Sequence, residues 1–198
     1  MTVSSENNQQ LIDSFRPMIL ENEANGLLLD LLAQPSLAMQ LMGFSKETTL
    51  KAIKHLQNIL EECYQAGHLK IATGHEDGCL YGYALLFIHP DPNVPRYCHK
   101  IFIYQEYRGL GIGSKMLQML LNDSQDTYLL CRNELVPFYE RAGMQRKGDF
   151  VPPSAHEGFA LTNSLYAGLV VMGSPGGDGT APVFMLNDED VKQLLVMS

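Results

Sequence analysis

The chain has 198 residues, 45% of them hydrophobic and 18% charged, a balance that buries a genuine core and excludes a disordered chain. Its net charge of −8 excludes a nucleic-acid partner, because phosphate binding asks for a basic surface, and is compatible with a cationic one. No apolar stretch is long and clean enough to span a bilayer, which excludes a membrane partner, and the opening MTVSSENNQQ lacks the basic patch and apolar run of a secretory signal.

Residues 1–12 are polar and read as a flexible N-terminus. Phe15–Leu20 (FRPMIL) reads as a first strand, and Leu27–Leu32 as a helix limited by Pro35. Ser45 caps a longer helix in which Leu50, Ile53, Leu56, Leu60 and Cys63 recur at helical spacing, and Gly67 closes it. Leu69–Thr73 and Leu80–His89 are strands joined at Glu76-Asp77-Gly78, and the proline-rich 90–95 segment is a loop. Tyr97–Tyr104 is a strand that runs into a glycine-rich stretch and a helix over Gly111–Leu121. Tyr128–Cys131 is a buried strand, Val136–Ala142 a helix ended by Gly143, and Met144–Phe150 and Leu165–Met172 are the last strands. GSPGGDGTAP (173–182) has a linker's composition, and Asn187 caps a terminal helix whose Asp188, Glu189 and Asp190 form a solvated first turn rather than a metal site. The order is an α/β (α+β) domain around one sheet. Residues 13–172 form the domain, and 173–198 are a linker and short C-terminal extension.

Cys63, Cys79, Cys98 and Cys131 are spread without C-x-x-C pairing, which speaks against a zinc site or a disulfide framework. Free thiols in a reducing compartment are the expectation, so the reading is cytoplasmic, with no metal. His55 and His89 read as surface residues, and nothing singles out His156 and Glu157 in the loop after Pro152-Pro153.

The chemistry concentrates in Arg108-Gly109-Leu110-Gly111-Ile112-Gly113, between a strand and a helix. Glycines let the backbone turn sharply and approach a ligand, and the first amides of a helix are unpaired donors suited to an anion. Two nucleotide motifs fail on spacing. A G-x-G-x-x-G frame begun at Gly109 ends on Ser114, and one begun at Gly111 ends on Met116. A P-loop needs Gly-Lys-Ser/Thr, whereas the order is Gly113-Ser114-Lys115. Taken alone, the stretch is either a phosphate cradle or a structural turn with no ligand.

The stretch EYRGLGIGSKML (106–117) resembles the R/Q-x-x-G-x-G/A motif of the GNAT superfamily of N-acetyltransferases. VPFYERAGM (136–144) resembles that family's second signature, F-Y-E-x-x-G-F, in the right order and with a strand between. The resemblance covers about Leu69 to Phe150. It implies the GNAT fold: one mixed, largely antiparallel sheet flanked by helices, with two parallel strands splayed to form an acetyl-CoA (coenzyme A) cleft. It implies acetyl transfer to a primary amine of a small molecule or peptide by direct attack. A protein acetyltransferase acting on lysines or N-termini, and a non-catalytic CoA-binding module, share the same cofactor half and stay open.

Carried over residue by residue, the splayed strands are Tyr97–Tyr104 and Tyr128–Cys131. Backbone groups of Ile101, Phe102 and Ile103 would bond the acetyl and pantetheine groups. Amides of Gly109, Leu110, Gly111, Ile112, Gly113 and Ser114 would take the pyrophosphate, with Arg108 adding charge or serving the loop's own geometry. Asn133 would contact pantetheine or phosphate, although it stands six residues before Tyr139 where the family commonly has seven. Tyr139 matches the family's tyrosine general acid, with Phe138 packed beside it; the alternative is a core aromatic. For the base, the period of two puts Tyr97, His99, Ile101 and Ile103 on one strand face and Cys98 and Lys100 on the other. His99 is the candidate, since histidine titrates near working pH, and ordered water is the alternative. The protein is expected as a monomer or a homodimer, the apolar Leu165–Met172 strand being free to pair across a two-fold.

Overall fold

The computed structural model describes residues 5–177 and 181–197. They divide into two units. The first takes residues up to Pro17, Tyr64–Asp149 and Leu169–Phe184; the second takes Met18–Cys63, Phe150–Gly168 and the residues from Met185 onward.

Ile19, Leu20, Ala24, Leu27, Leu28 and Leu31 are buried, at a spacing that only a helix brings to one side. They belong to α1 (Ser5–Leu32), a single 28-residue helix that continues through Pro17. The strand expected at Phe15–Leu20 is therefore helical. A six-residue window of mixed apolar and β-compatible residues hid a period that becomes visible only over the next three turns. Residues 5–12 belong to the same helix, and residues 1–4 lie outside the described residues. Pro35 opens α2 (Pro35–Leu41), where its missing N–H costs nothing. Helix α3 (Lys46–Gln65) starts at Ser45, whose Oγ accepts the Thr48 N–H at 3.0 Å, and it buries Ala52, Leu56 and Leu60. His55 is half-buried rather than on the surface.

The central sheet contains β1 (Leu69–Glu76), β2 (Cys79–Phe87), β3 (Arg96–Ile103), β4 (Thr127–Arg132), β5 (Gln145–Asp149) and β6 (Leu169–Gly173). Their spatial order is β1-β2-β3-β4-β6-β5, and every pairing is antiparallel except β3 with β4. Asp77 and Gly78 turn β1 into β2 with φ of 48° and 77°. Helix α4 (Ile112–Leu121) covers one sheet face, sharing a core in which Met116, Leu117 and Leu120 meet Ala84, Leu86, Cys98, Leu129, Cys131, Val170 and Met172. Helix α5 (Val136–Arg141) packs on the same cluster through Val136, Phe138 and Tyr139.

Two expectations change here. Strand β6 begins at Leu169, and it lies between β4 and β5, so its backbone is already paired on both sides and cannot join a second copy. The sheet's edges are β1 and β5. The linker-like run also starts later than its composition suggests. Ser174 is buried, its N–H donates to the Thr127 carbonyl at 3.0 Å, and its Oγ accepts the Thr127 N–H at 2.9 Å. Residues 178–180 of that run lie outside the described residues.

Asn187 caps α6 (Asp188–Leu195), accepting the Glu189 and Asp190 N–H groups, and Asp190 returns a bond to the Asn187 N–H at 2.9 Å. Asp188 does more than sit in solvent. Its carboxylate accepts the Ala160 and Leu161 N–H groups at 2.9 and 2.7 Å and ties down the loop before β6. Among the described residues no helix is long and apolar enough to cross a membrane, and no group of three or more His, Cys, Asp or Glu side chains could hold a metal ion.

Strand β2 lies against β3 at Gly82, opposite Ile103, with no room for a side chain. A Cβ built there would lie 2.4 Å from the Phe102 carbonyl oxygen and 2.6 Å from Ile103 Cδ1. The carbonyl cannot move without shifting β3 itself. Gly82→Ala is expected to destabilise the fold by about 2 kcal/mol or more. An unchanged urea-unfolding midpoint would contradict this.

Candidate active site

Strands β3 and β4 run parallel, but their pairing stops almost where it starts. Only Arg96↔Thr127 and Tyr97↔Tyr128 are in register, although the strands have eight and six residues. Beyond Tyr97 the two strands diverge. Peptides of a strand alternate in the direction of their N–H and C=O groups, so every second peptide of β3 past that point aims into the gap instead of at a neighbour. Ile101, Phe102 and Ile103 stand on this open stretch, paired on their other side with Ala84, Tyr83 and Gly82 of β2.

The glycine loop follows at the open end of the gap. Gly109 and Gly111 have φ of 80° and 74°, the left-handed region that glycine enters without strain. Gly111 is the N-cap of α4 and no side chain caps the helix. The first helical bond is Lys115 N–H to the Gly111 carbonyl at 3.0 Å. The N–H groups of Ile112, Gly113 and Ser114 therefore find no acceptor among the described residues, and they converge with the positive end of the helix dipole. A Cβ built at Gly109 or Gly111 meets nothing within 4 Å, so no protein atom demands glycine there; the backbone angle does. Arg108 secures the loop. Its Nε donates to the Ile103 carbonyl at 2.9 Å and its guanidinium lies 5.8 Å from the centre of the Phe102 ring.

Tyr139 packs on the core face of the sheet with Ile101, Ile103, Ile112 and Phe138 around Cys98 and Cys131. Its ring meets Phe138 edge-on at 5.1 Å. Burial pushes its phenol well above the ordinary tyrosine value of 10, helped by Cys98 on β3 and Cys131 on β4. Burial likewise pushes the Cys98 thiol up to about 12. Both groups stay protonated at neutral pH.

His99 lies elsewhere than the period of two implies. The register between β2 and β3 slips at this residue: Leu85 pairs with Lys100 and Leu86 with Cys98, leaving His99 as an extra residue, a β-bulge. The bulge resets the alternation. Cys98, Ile101 and Ile103 share the core face, while Tyr97, Lys100 and Phe102 share the other with Leu85, Tyr83 and Phe87. His99 joins that second face. Its ring stands 5.8 Å from Phe87, 5.9 Å from Tyr97 and 5.2 Å from Phe184. The two candidate catalytic side chains, Tyr139 and His99, thus flank the sheet from opposite faces near the divergence.

Asn133 is exposed in a short turn, Asn133–Leu135, directly after β4. Sequence reading missed Arg96, Asp123 and Thr127, which close the narrow end of the gap, and Phe184, which stacks on Phe87 at 4.6 Å. No motif or period marks any of these four. Only the three-dimensional pairing reveals them.

The stretch from β1 to the start of β5 also matches a known family. Residues 67–145 fit the model described as Acetyltransferase (GNAT) domain. Over these residues the chain is similar to a GNAT domain. The match encloses the glycine loop, the diverging strands and Tyr139. Among solved structures, the chain is similar to Escherichia coli ElaA, at 15% identity and a TM-score of 0.40 over 54% of this chain and 68% of that one. A mutant of the spermidine N-acetyltransferase from Vibrio cholerae gives 18% identity and a TM-score of 0.46 over 62% and 74%. The PaiA N-acetyltransferase from Thermoplasma acidophilum, solved in complex with coenzyme A, gives 15% identity and a TM-score of 0.43 over 67% and 80%. No curated protein matches the sequence.

Proposed function

We propose that this protein is an acetyl-CoA-dependent N-acetyltransferase that passes an acetyl group to a primary amine of a small molecule or peptide by direct attack. The observation that carries the reading is the gap between β3 and β4, opening after two register pairs toward the uncapped start of α4, with a half-buried, protonated Tyr139 packed on the same core face as Ile101 and Ile103. The domain responsible takes in residues 13–172.

Those residues fit the cofactor. The amides of Gly109 to Ser114, the free ones of Ile112, Gly113 and Ser114 foremost, supply donors for a pyrophosphate in a loop where no side chain intervenes. The open edge of β3 at Ile101, Phe102 and Ile103 offers strand-like hydrogen bonds to a pantetheine amide chain. Phe138 lies along the apolar side, Asn133 at the end of β4 reaches for pantetheine or phosphate, and Arg108 keeps the loop fixed to β3. Bound there, acetyl-CoA supplies an activated thioester. Tyr139 would supply the proton that a departing thiolate needs, and its raised pKa keeps that proton in place at neutral pH until the thiolate forms. His99, on the opposite face beside Phe87 and Tyr97, or an ordered water would accept the amine proton as an acceptor arrives from that side.

Calorimetry with acetyl-CoA tests the cofactor, and release of free CoA thiol with a panel of amines tests the transfer. Saturable binding together with amine-dependent thiol release is expected. Absence of binding at millimolar acetyl-CoA would remove the reading. Binding without turnover on any small amine or peptide would leave a CoA-binding module instead.

A further inference from the structure

Arg96, the first residue of β3, is 5% exposed, a position a charged side chain occupies only when its donors are met. Its guanidinium meets three separate pieces of chain. Nε donates to Thr127 Oγ1 on β4 at 2.7 Å. One terminal nitrogen donates to Asp123 Oδ2 at 2.6 Å, in the turn between α4 and β4. The other donates to the carbonyl of Leu120, in the last turn of α4, at 2.5 Å. The backbone N–H of Arg96 adds a fourth tie, to the Asp126 carbonyl at 2.9 Å. Arg96 in turn holds the Asp123 carboxyl below its ordinary value of 3.8, through its hydrogen bond and its charge.

This is the narrow end of the gap. With only two register pairs joining β3 to β4, backbone pairing alone is a weak hinge. Leu120 stands eight residues after Ile112 in α4, so the carbonyl that Arg96 grips lies about 12 Å along the helix from the amides at the other end. A small rotation at the gripped end becomes a displacement at those amides. We propose that Arg96 is the positioning residue of the cofactor cleft: it locks the end of α4 and the start of β4 to β3, so that the pyrophosphate site on α4 and the pantetheine edge of β3 keep a fixed separation. The proposal rests on the cofactor reading given above. A ligand that touches both elements gains from their being fixed in advance, because its second contact becomes intramolecular at no further ordering cost. A ligand that touches only α4 gains nothing from the lock.

Two probes separate these cases: CoA, which spans both elements, and ADP, which carries the pyrophosphate without the pantetheine arm. Both are titrated by calorimetry into wild type, Arg96→Lys and Asp123→Ala, at a temperature where thermal melts show each variant folded. Lysine keeps the charge but cannot reach three partners, and Asp123 is half exposed, so its loss leaves a folded protein even if Arg96→Lys does not fold. CoA is expected to weaken about tenfold in Arg96→Lys and about threefold in Asp123→Ala, with ADP affinity within about twofold of wild type in both. Unchanged CoA affinity in the folded variants overturns the proposal, as does an equal loss for CoA and ADP, which would mean general loosening. If wild type itself binds no CoA, the cofactor reading fails first and takes this one with it.

Discussion

Replacing Tyr139 by phenylalanine should lower kcat by at least about tenfold while the dissociation constant for acetyl-CoA changes little. The substitution removes one oxygen and keeps the ring that packs edge-on against Phe138 and against the Cys98–Cys131 cluster, so the fold and the cofactor contacts are preserved. Only the proton is lost. The pH profile sharpens the test. Burial raises the phenol's pKa, so the protonated form persists beyond pH 10, where an ordinary tyrosine is half ionised. The alkaline fall of kcat due to this group should therefore lie above pH 10 in wild type and be missing in the variant. An unchanged rate in Tyr139→Phe would leave Tyr139 as a core aromatic and move the search for the acid elsewhere.

Substitution of Gly111 should abolish cofactor binding, and comparing two replacements shows why. Gly111 holds φ at 74°, which asparagine tolerates far better than valine does. A side chain there meets no protein atom within 4 Å. If glycine serves the turn alone, Gly111→Asn retains affinity and only Gly111→Val loses it. If glycine also lets the backbone approach a pyrophosphate, both variants lose acetyl-CoA binding, by about a hundredfold or more for valine, with Gly111→Asn still folded. The second outcome is expected, because the amides of Ile112, Gly113 and Ser114 directly after Gly111 have no acceptor among the described residues, and a pyrophosphate bound to them lies against this turn.

The readable parts of this chain are those whose physics is local. Ser45, Asn187 and Gly111 announce helix starts because a cap is decided within three or four residues, and the Gly109–Gly113 run declares its anion-ready turn for the same reason. The split between β3 and β4 came from a likeness of two motifs, and no periodicity could have supplied it. Phe15–Leu20 misled because six apolar and polar residues fit either period, and the burial of Ile19 through Leu31 that settles it lies farther along. The facing of His99 was illegible because a bulge is a property of two strands, β2 and β3, and leaves no mark in either alone. Arg96 escaped notice for a similar reason. Its partners Leu120, Asp123 and Thr127 are 24 to 31 residues away in sequence.

The bulge at His99 also governs how this protein can be recombined with others. A segment swapped into β3 from a strand without the extra residue would still pair in register, because Cys98 and Lys100 already oppose the adjacent residues Leu86 and Leu85 of β2. Ile101 and Ile103 would stay in the core that holds Met116 and Leu117, and Lys100 and Phe102 would stay on the other face. Such a chimera keeps the facing of the strand and loses only the imidazole of His99, so it removes that side chain without disturbing the residues before and after it, provided the two sequences are aligned with a gap at position 99.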